Sequence, residues 1–313
     1  MRFGKIITLS LNPVADITLY VEELRPGTEN QVCKELYDAA GKAVDVSRVL
    51  QSYGLPNTAL IVAGEENSRR YFDRLKDENV ATRVIFTPGR IRENISIVSA
   101  GGAMTRLIRQ GPTLRPRTID ELEAVLEEEV APSTLVVVAG LLPQGVTEEI
   151  FCEICAFIRR SGGAVALDSR DATLANLPKL QPWVIKPNYE ELCALVGWRP
   201  ANDGELKQAL QQVHEAGASH VLASLGPEGM AYTNGRVTYR AQVPQLEEVK
   251  STVGAGDAAL AGFLIAHDYQ YDLKRSVQLA AAFGTASCLV EGTNPPRRIS
   301  VGMINNQVTV YEI

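Results

Sequence analysis

Residues 251–266 read STVGAGDAALAGFLIA, and SLGPEGM occupies 224–230 a short way upstream. Gly254-Ala255-Gly256 permits tight turning and close backbone approach directly before an apolar helix. The first amides of a helix lack internal partners and carry partial positive charge, so this junction is a ready anion site. Asp257 places a carboxylate one residue beyond it. Amides that neutralise phosphoryl oxygens, beside a carboxylate able to take an alcohol proton, suit phosphoryl transfer. Taken alone, the same residues also fit a glycine turn followed by an acidic first helical turn. The rest of the chain decides between the two.

Outward from that stretch, short β-rich runs alternate with amphipathic helical ones, the pattern of a mainly parallel sheet covered by helices. Strands are expected at 5–11, 58–63, 134–139, 164–168, 183–186 and 220–224. Leu135-Val136-Val137-Val138 is continuously apolar, as in a strand buried on both faces. Helices are expected at 43–53, 68–79, 119–130, 147–160, 188–196, 205–216, 255–267 and 273–290. Two stretches break the alternation, 17–37 and 93–109, each with β-branched residues around a turn, Pro26-Gly27 and Gly101-Gly102. They read as antiparallel strands that pair into a small accessory sheet, an insertion in a single domain spanning 1–313. A late hairpin is expected across Asn234-Gly235, and 301–313 looks strand-like.

Composition narrows the chemistry. The 313 residues carry 31 Lys and Arg against 37 Asp and Glu, a net charge of −6 with no dense basic run. That argues against a nucleic-acid or anionic-membrane partner. No apolar run reaches the roughly 18 residues of a membrane span, and the first residues lack a signal peptide's apolar core, so a cytoplasmic protein is expected. Cys33, Cys152, Cys155, Cys193 and Cys288 are odd in number and scattered, unlike a disulfide framework. Cys152 and Cys155 form a C-x-x-C, but within EEIFCEICAFIRR they fall on an apolar helical face and read as core packing. The three histidines, His214, His220 and His267, show no local ligand pattern. No G-x-G-x-x-G follows the first strand, which disfavours a dinucleotide oxidoreductase.

Several segments, in order, resemble the PfkB branch of the ribokinase-like carbohydrate kinases, nearest the 1-phosphofructokinase and tagatose-6-phosphate kinase subgroup. TLSLNPVADIT (8–18) is similar to that family's opening T-L-N-P-x-x-D segment. AGKAVDVSRVL (40–50) resembles G-G-K-G-x-N-V-x-R-x-L, and RENISI (92–97) resembles T-R-x-N. AGLLPQGV (139–146), KPNYEEL (186–192), SLGPEG (224–229) and TVGAGD (252–257) resemble four more of its motifs. The resemblance implies a three-layer α/β/α kinase domain with a β-sheet lid. It implies ATP and Mg²⁺ as cofactors, a carbohydrate acceptor, and a homodimer through the lid. By the same resemblance Asp257 is the base, and Gly254, Ala255 and Gly256 supply the anion hole. Lys186, Asn188, Ser224, Gly226, Gly229 and Thr252 hold the nucleotide. Asn188 and Glu191 organise magnesium, mostly through water, as suits that ion.

For the acceptor the resemblance implies Asp16, Gly41, Lys42, Asp45, Arg92 and Asn94. Here the chain departs from the family pattern. Ala40 and Ala43 replace glycines, and a Cβ at either is expected to crowd a ligand or narrow the backbone. Asp45 replaces the usual Asn, Leu141 stands where a Ser hydroxyl is usual, and Gln31 stands where relatives often carry a cation. A ketohexose phosphate is the first acceptor to consider. An unphosphorylated sugar, a nucleoside or a modified sugar is the alternative, and a ligand sensor without turnover is a third reading.

Overall fold

The computed structural model describes residues 2–313. Its strands are β1 (Lys5–Ser10), β2 (Val14–Val21), β3 (Val32–Ala40), β4 (Thr58–Gly64), β5 (Thr82–Thr87), β6 (Arg92–Ser99), β7 (Met104–Ile108) and β8 (Thr134–Ala139). They continue as β9 (Ala164–Asp168), β10 (Val184–Ile185), β11 (His220–Ser224), β12 (Met230–Thr233), β13 (Thr238–Gln242) and β14 (Thr309–Glu312). The helices are α1 (Lys42–Ser52), α2 (Ser68–Asp77), α3 (Pro116–Glu129), α4 (Glu148–Arg160) and α5 (Leu177–Leu180). After these come α6 (Tyr189–Val196), α7 (Asp203–Glu215), α8 (Ala255–Asp268), α9 (Leu273–Ser287) and α10 (Arg298–Asn305).

Among the described residues a ten-stranded sheet runs in the order β14-β13-β12-β11-β10-β9-β8-β1-β4-β5. Its members from β5 to β11 are parallel, and the last three strands add antiparallel. Side-chain alternation along each central strand builds two cores at once. Val136 and Val138 join α3, α4, α6 and α7 on one face, while Leu135 and Val137 join α1, α8, α9 and α10 on the other. Cys152 and Cys155 lie buried in the first of these cores as free thiols. Helix α8 is apolar almost all round and is buried from Asp257 to Ala266 between α1 and α9, the usual fate of such a helix.

The stretches that broke the alternation meet in a four-stranded sheet of order β3-β2-β6-β7. Each forms an antiparallel hairpin, and the two hairpins join through the parallel pair β2/β6, which sets Asp16 opposite Asn94 and Val14 opposite Arg92. Both chain segments that enter this sheet leave the larger one at the carboxyl ends of its parallel strands. That edge is where an open α/β sheet builds its ligand crevice.

Two expectations need correction, and one strand is not foreseen. Residues 301–313 are not all extended: 301–305 belong to α10, because Val301 and Ile304 are buried one turn apart against α9, and only 309–312 form a strand. Strand β5 escapes the sequence pattern because it is an edge strand with only Ile85 and Thr87 buried. Helix α3 starts three residues early, at Pro116, whose fixed φ suits a first helical position. The Asn234-Gly235 hairpin forms as β12/β13. No helix among the described residues is long and apolar enough to cross a membrane.

Candidate active site

Helix α8 begins at Gly254 with φ 79°, and no side chain caps that end. Four other helices, α4, α6, α7 and α9, are closed by Thr147, Asn188, Asn202 and Asp272. Ala255 N makes a long 3.4 Å bond back to the Thr252 carbonyl, and the start of α8 lines a cavity of about 560 Å³, within the range that holds a nucleotide-sized ligand. Lys186, Asn188, Ser224, Gly226, Gly229, Thr252, Gly254, Ala255, Gly256 and Asp257 all line it. Its far wall is apolar, with Val243, Leu246, Val249 and Cys288. A Cβ on Gly256 would sit 2.8 Å from Lys186 Nζ, so a side chain there would have to displace that ammonium. Gly229 has a second reason to be glycine: φ is 91° and a Cβ would strike the Ala241 carbonyl at 2.1 Å.

Asp257 is 7% exposed. Burial, then the negative charge of Asp168, pushes its carboxyl up to about 7, while Lys42 and Lys186 pull the other way. A buried carboxyl poised near neutrality fits a general base. The charges around it form one network. Asp168, 1% exposed at the end of β9, receives Lys42 Nζ at 2.6 Å and lies 3.0 Å from Lys186 Nζ. Burial opposes its ionised form, but Lys186 and Lys42 outweigh burial and hold it below the ordinary carboxylate value. Lys42 Nζ is also 3.7 Å from Glu191. Burial disfavours the Lys42 charge, yet Asp168 and then Glu191 and Asp257 leave its ammonium above the usual value.

Asn188 and Glu191 make a reciprocal capping box at the head of α6, each side chain bonding the other's backbone N–H at 2.9 Å. Glu191 Oε1 also accepts from Arg170 Nε at 3.1 Å. Sequence reading takes these two as a magnesium pair. The structure adds a local reason for the same spacing, since N-cap and N3 satisfy helix amides.

The acceptor candidates gather about Asp16, whose charge, like that of Asp257, bears on Asp45. Asn94 Nδ2 donates to Asp16 Oδ1 at 2.8 Å. Arg92 Nε, Asn94 Oδ1 and Asn12 Oδ1 are buried without a hydrogen-bond partner, and a Cβ on Gly111 would meet both Asn12 and Arg92. Buried polar atoms are almost always satisfied, so three unpaired ones close together mark space for a polar ligand. Arg106 stands opposite Ser96 on β7, on the sheet face of Asn94 and Asp16, and its charge bears on both Asp16 and Arg92. Gly41, with φ 126°, begins α1 and packs on Pro13 and Val14. Two acceptor expectations change. Ala43 turns its methyl into the core beneath α1 rather than toward a ligand. Asp45 is turned inward as well, accepting from Gly41 N at 3.2 Å and Arg48 Nη1 at 3.3 Å.

A family model, "pfkB family carbohydrate kinase", matches residues 10–299. The chain belongs to the PfkB family of carbohydrate kinases. As a kinase of this family it uses ATP to phosphorylate a carbohydrate. It is 29% identical over 307 residues to a 1-phosphofructokinase of Vibrio cholerae, covering 98% of this chain and 96% of that one. It is 27% identical over 311 residues to a tagatose-6-phosphate kinase of Staphylococcus epidermidis, covering 98% and 100%. Phosphofructokinase-2 of Escherichia coli, solved with substrates and products, superposes with a TM-score of 0.89 at 25% identity, covering 97% and 99%. An oxidoreductase is thereby ruled out.

Three residues near the candidate site are not singled out by sequence reading. Asp168 reads only as the polar end of an apolar strand, although a lone carboxylate at a parallel strand's carboxyl end is itself a pointer. Arg106 gives no local signal and is brought in by cross-strand register, whereas Asn12 lies inside the TLSLNP segment but is not singled out there.

Proposed function

We propose that this kinase transfers the γ-phosphoryl group of ATP to a hydroxyl of a ketohexose phosphate, the acceptor class of the two curated relatives. The supporting observation is the position of Asp257. It lies in the first turn of a helix whose N-terminus no side chain caps, it lines the nucleotide-sized cavity, and its charge, like that of Asp16 among the acceptor candidates, bears on Asp45.

The adenine lies along the apolar wall, and the phosphates reach the amides of Gly254, Ala255 and Gly256. Asp16 and Asn94 orient the acceptor hydroxyls, and Arg92 with Arg106 takes the phosphate already on the sugar. Asp257 removes the proton of the attacking hydroxyl as its oxygen bonds to the γ-phosphorus. The bond from that phosphorus to the β–γ bridging oxygen breaks, ADP leaves, and the proton stays on the carboxyl. Lys42 and Lys186 steady the phosphoryl oxygens while keeping Asp168 paired. The oxygen-rich pair Asn188 and Glu191 fits a hydrated Mg²⁺, which when bound neutralises phosphate charge. Closure of the smaller sheet excludes water from the reacting atoms. That sheet leaves Met104, Leu107 and Ile108 exposed on β7, and a second copy of the chain covering them gives a homodimer.

An ADP-release assay tests the reading, with fructose 1-phosphate, tagatose 6-phosphate, free fructose and a nucleoside as acceptors. Saturable turnover on a sugar phosphate is expected. Turnover only on a neutral acceptor would support the second reading, which the exposed Leu141 in place of a hydroxyl donor favours. ADP formation with none of them would favour a sensor.

A further inference from the structure

Helix α1 carries a charge that simple neutralisation does not explain. The Arg48 side chain is fully buried, and the Glu78 carboxylate takes its Nε at 2.6 Å and Nη2 at 2.8 Å. That fork-to-fork pair is a complete counterion. Yet Nη1 turns the opposite way, to Thr293 Oγ1 at 2.9 Å, the Thr293 carbonyl at 3.3 Å and Asp45 Oδ1 at 3.3 Å.

Each of those contacts leads to one half of the site. Through its other oxygen Asp45 holds the Gly41 amide at the head of α1, on the acceptor side. Thr293 packs against the head of α8: its Cα, Cβ and Cγ2 lie 3.5 Å from where Gly254 would carry a Cβ. The neighbouring Gly292 abuts Asp38 of β3, so closely that a Cβ there would be 2.6 Å from the carboxylate. One guanidinium thus touches, through single intermediates, the glycine heading each of the two helices that face the reacting groups.

We propose that Arg48 is a positioning residue for phosphoryl transfer, setting the spacing between the amides at the head of α8 and the acceptor-side turn at the head of α1. This deepens the function proposed above and rests on the amides of 254–256 holding the phosphoryl group. The physical argument is that transfer needs reacting atoms within about 3–3.5 Å, so that a misplacement of about 1 Å costs on the order of a hundredfold in rate. The apolar wall at 243–249 and Cys288, along which the adenine is placed, lies outside the hydrogen bonds of Arg48, which go to Glu78, Asp45, Thr293 and Asn294. Loosening Thr293 therefore lowers kcat and leaves nucleotide binding nearly unchanged.

The test uses Thr293→Val, which keeps the shape and removes the hydroxyl, Thr293→Ser, which restores it, and Arg48→Lys as a second way to weaken the fork. Backbone amide exchange over 254–258 is measured in the complex with AMP-PNP, which needs no knowledge of the acceptor. Turnover with ATP and fructose 1-phosphate, the AMP-PNP Kd and Tm are measured alongside. Thr293→Val should speed exchange at 254–258 and lower kcat, each by about tenfold, the value of one hydrogen bond to a charged group. Kd should stay within about twofold, and Thr293→Ser should behave as wild type. Arg48→Lys should show the same split. Unchanged exchange and kcat in both Thr293→Val and Arg48→Lys would overturn the proposal, as would a loss that Thr293→Ser does not rescue or a fall in Tm alone. If wild type phosphorylates no sugar phosphate while exchange still responds to Thr293→Val, the acceptor reading fails and the positioning role stands.

Discussion

Replacing Asp257 by Asn should cut turnover sharply and, above neutral pH, make the protein more stable. Unfolded, this carboxyl loses its proton near the ordinary value of 3.8; folded, burial and Asp168 raise it to about 7. The difference is about three pH units, and at about 1.4 kcal/mol per unit the ionised form costs the fold about 4 kcal/mol. Below pH 4 both states are protonated and the group contributes nothing. Between 4 and 7 the unfolded chain has released the proton while the folded one keeps it, so wild-type stability falls as pH rises. Above 7 the full penalty is present. Asn mimics the protonated shape and cannot ionise, so Asp257→Asn should match wild type near pH 4 and exceed it by up to about 4 kcal/mol at pH 8. Urea unfolding followed by circular dichroism at pH 4.5, 6 and 8 (roughly spanning that window), without ligands, measures the difference. Activity should move oppositely: wild-type kcat/KM should rise with pH through about 7, and the variant should lose roughly 10²–10⁴ in kcat at pH 8. A stability difference that is the same at every pH would refute the electrostatic account. Near-normal turnover would remove Asp257 from the role of base.

Other consequences follow from the same charges. Arg92→Gln and Arg106→Gln should each raise KM for fructose 1-phosphate about ten- to a hundredfold, with KM for ATP nearly unchanged, as steady-state kinetics will show. Lys186→Met removes a positive charge from beside Asp168 and Asp257, so the acid limb of the kcat/KM profile should move to higher pH. Chemical denaturation should show that variant to be weaker by about 3 kcal/mol, because a buried carboxylate loses a partner. Cys288 lines the nucleotide cavity and burial pushes its thiol above the usual value, so in a Cys33→Ser background iodoacetamide should label it slowly, and AMP-PNP should slow it further by mass spectrometry.

The sequence by itself determined the class of fold, the parallel order of apolar strands and amphipathic helices, and the junction at Gly254–Asp257. Those features are contiguous, so their periodicity and backbone chemistry are written in neighbouring residues. The candidate nucleotide residues were legible for the same reason, each lying in a short motif at a strand or helix end. Only the tertiary structure decided what depends on register and packing between distant segments. It set Arg106 beside Asp16 across three strands, buried Asp168 between lysines 144 residues apart (Lys42 to Lys186), and turned the methyl of Ala43 into the core. Arg48 shows the limit most plainly: its position in α1 is local, but Glu78 and Thr293 reach it from 30 and 245 residues away. No pattern along the chain encodes that meeting, because it exists only once the helices have packed.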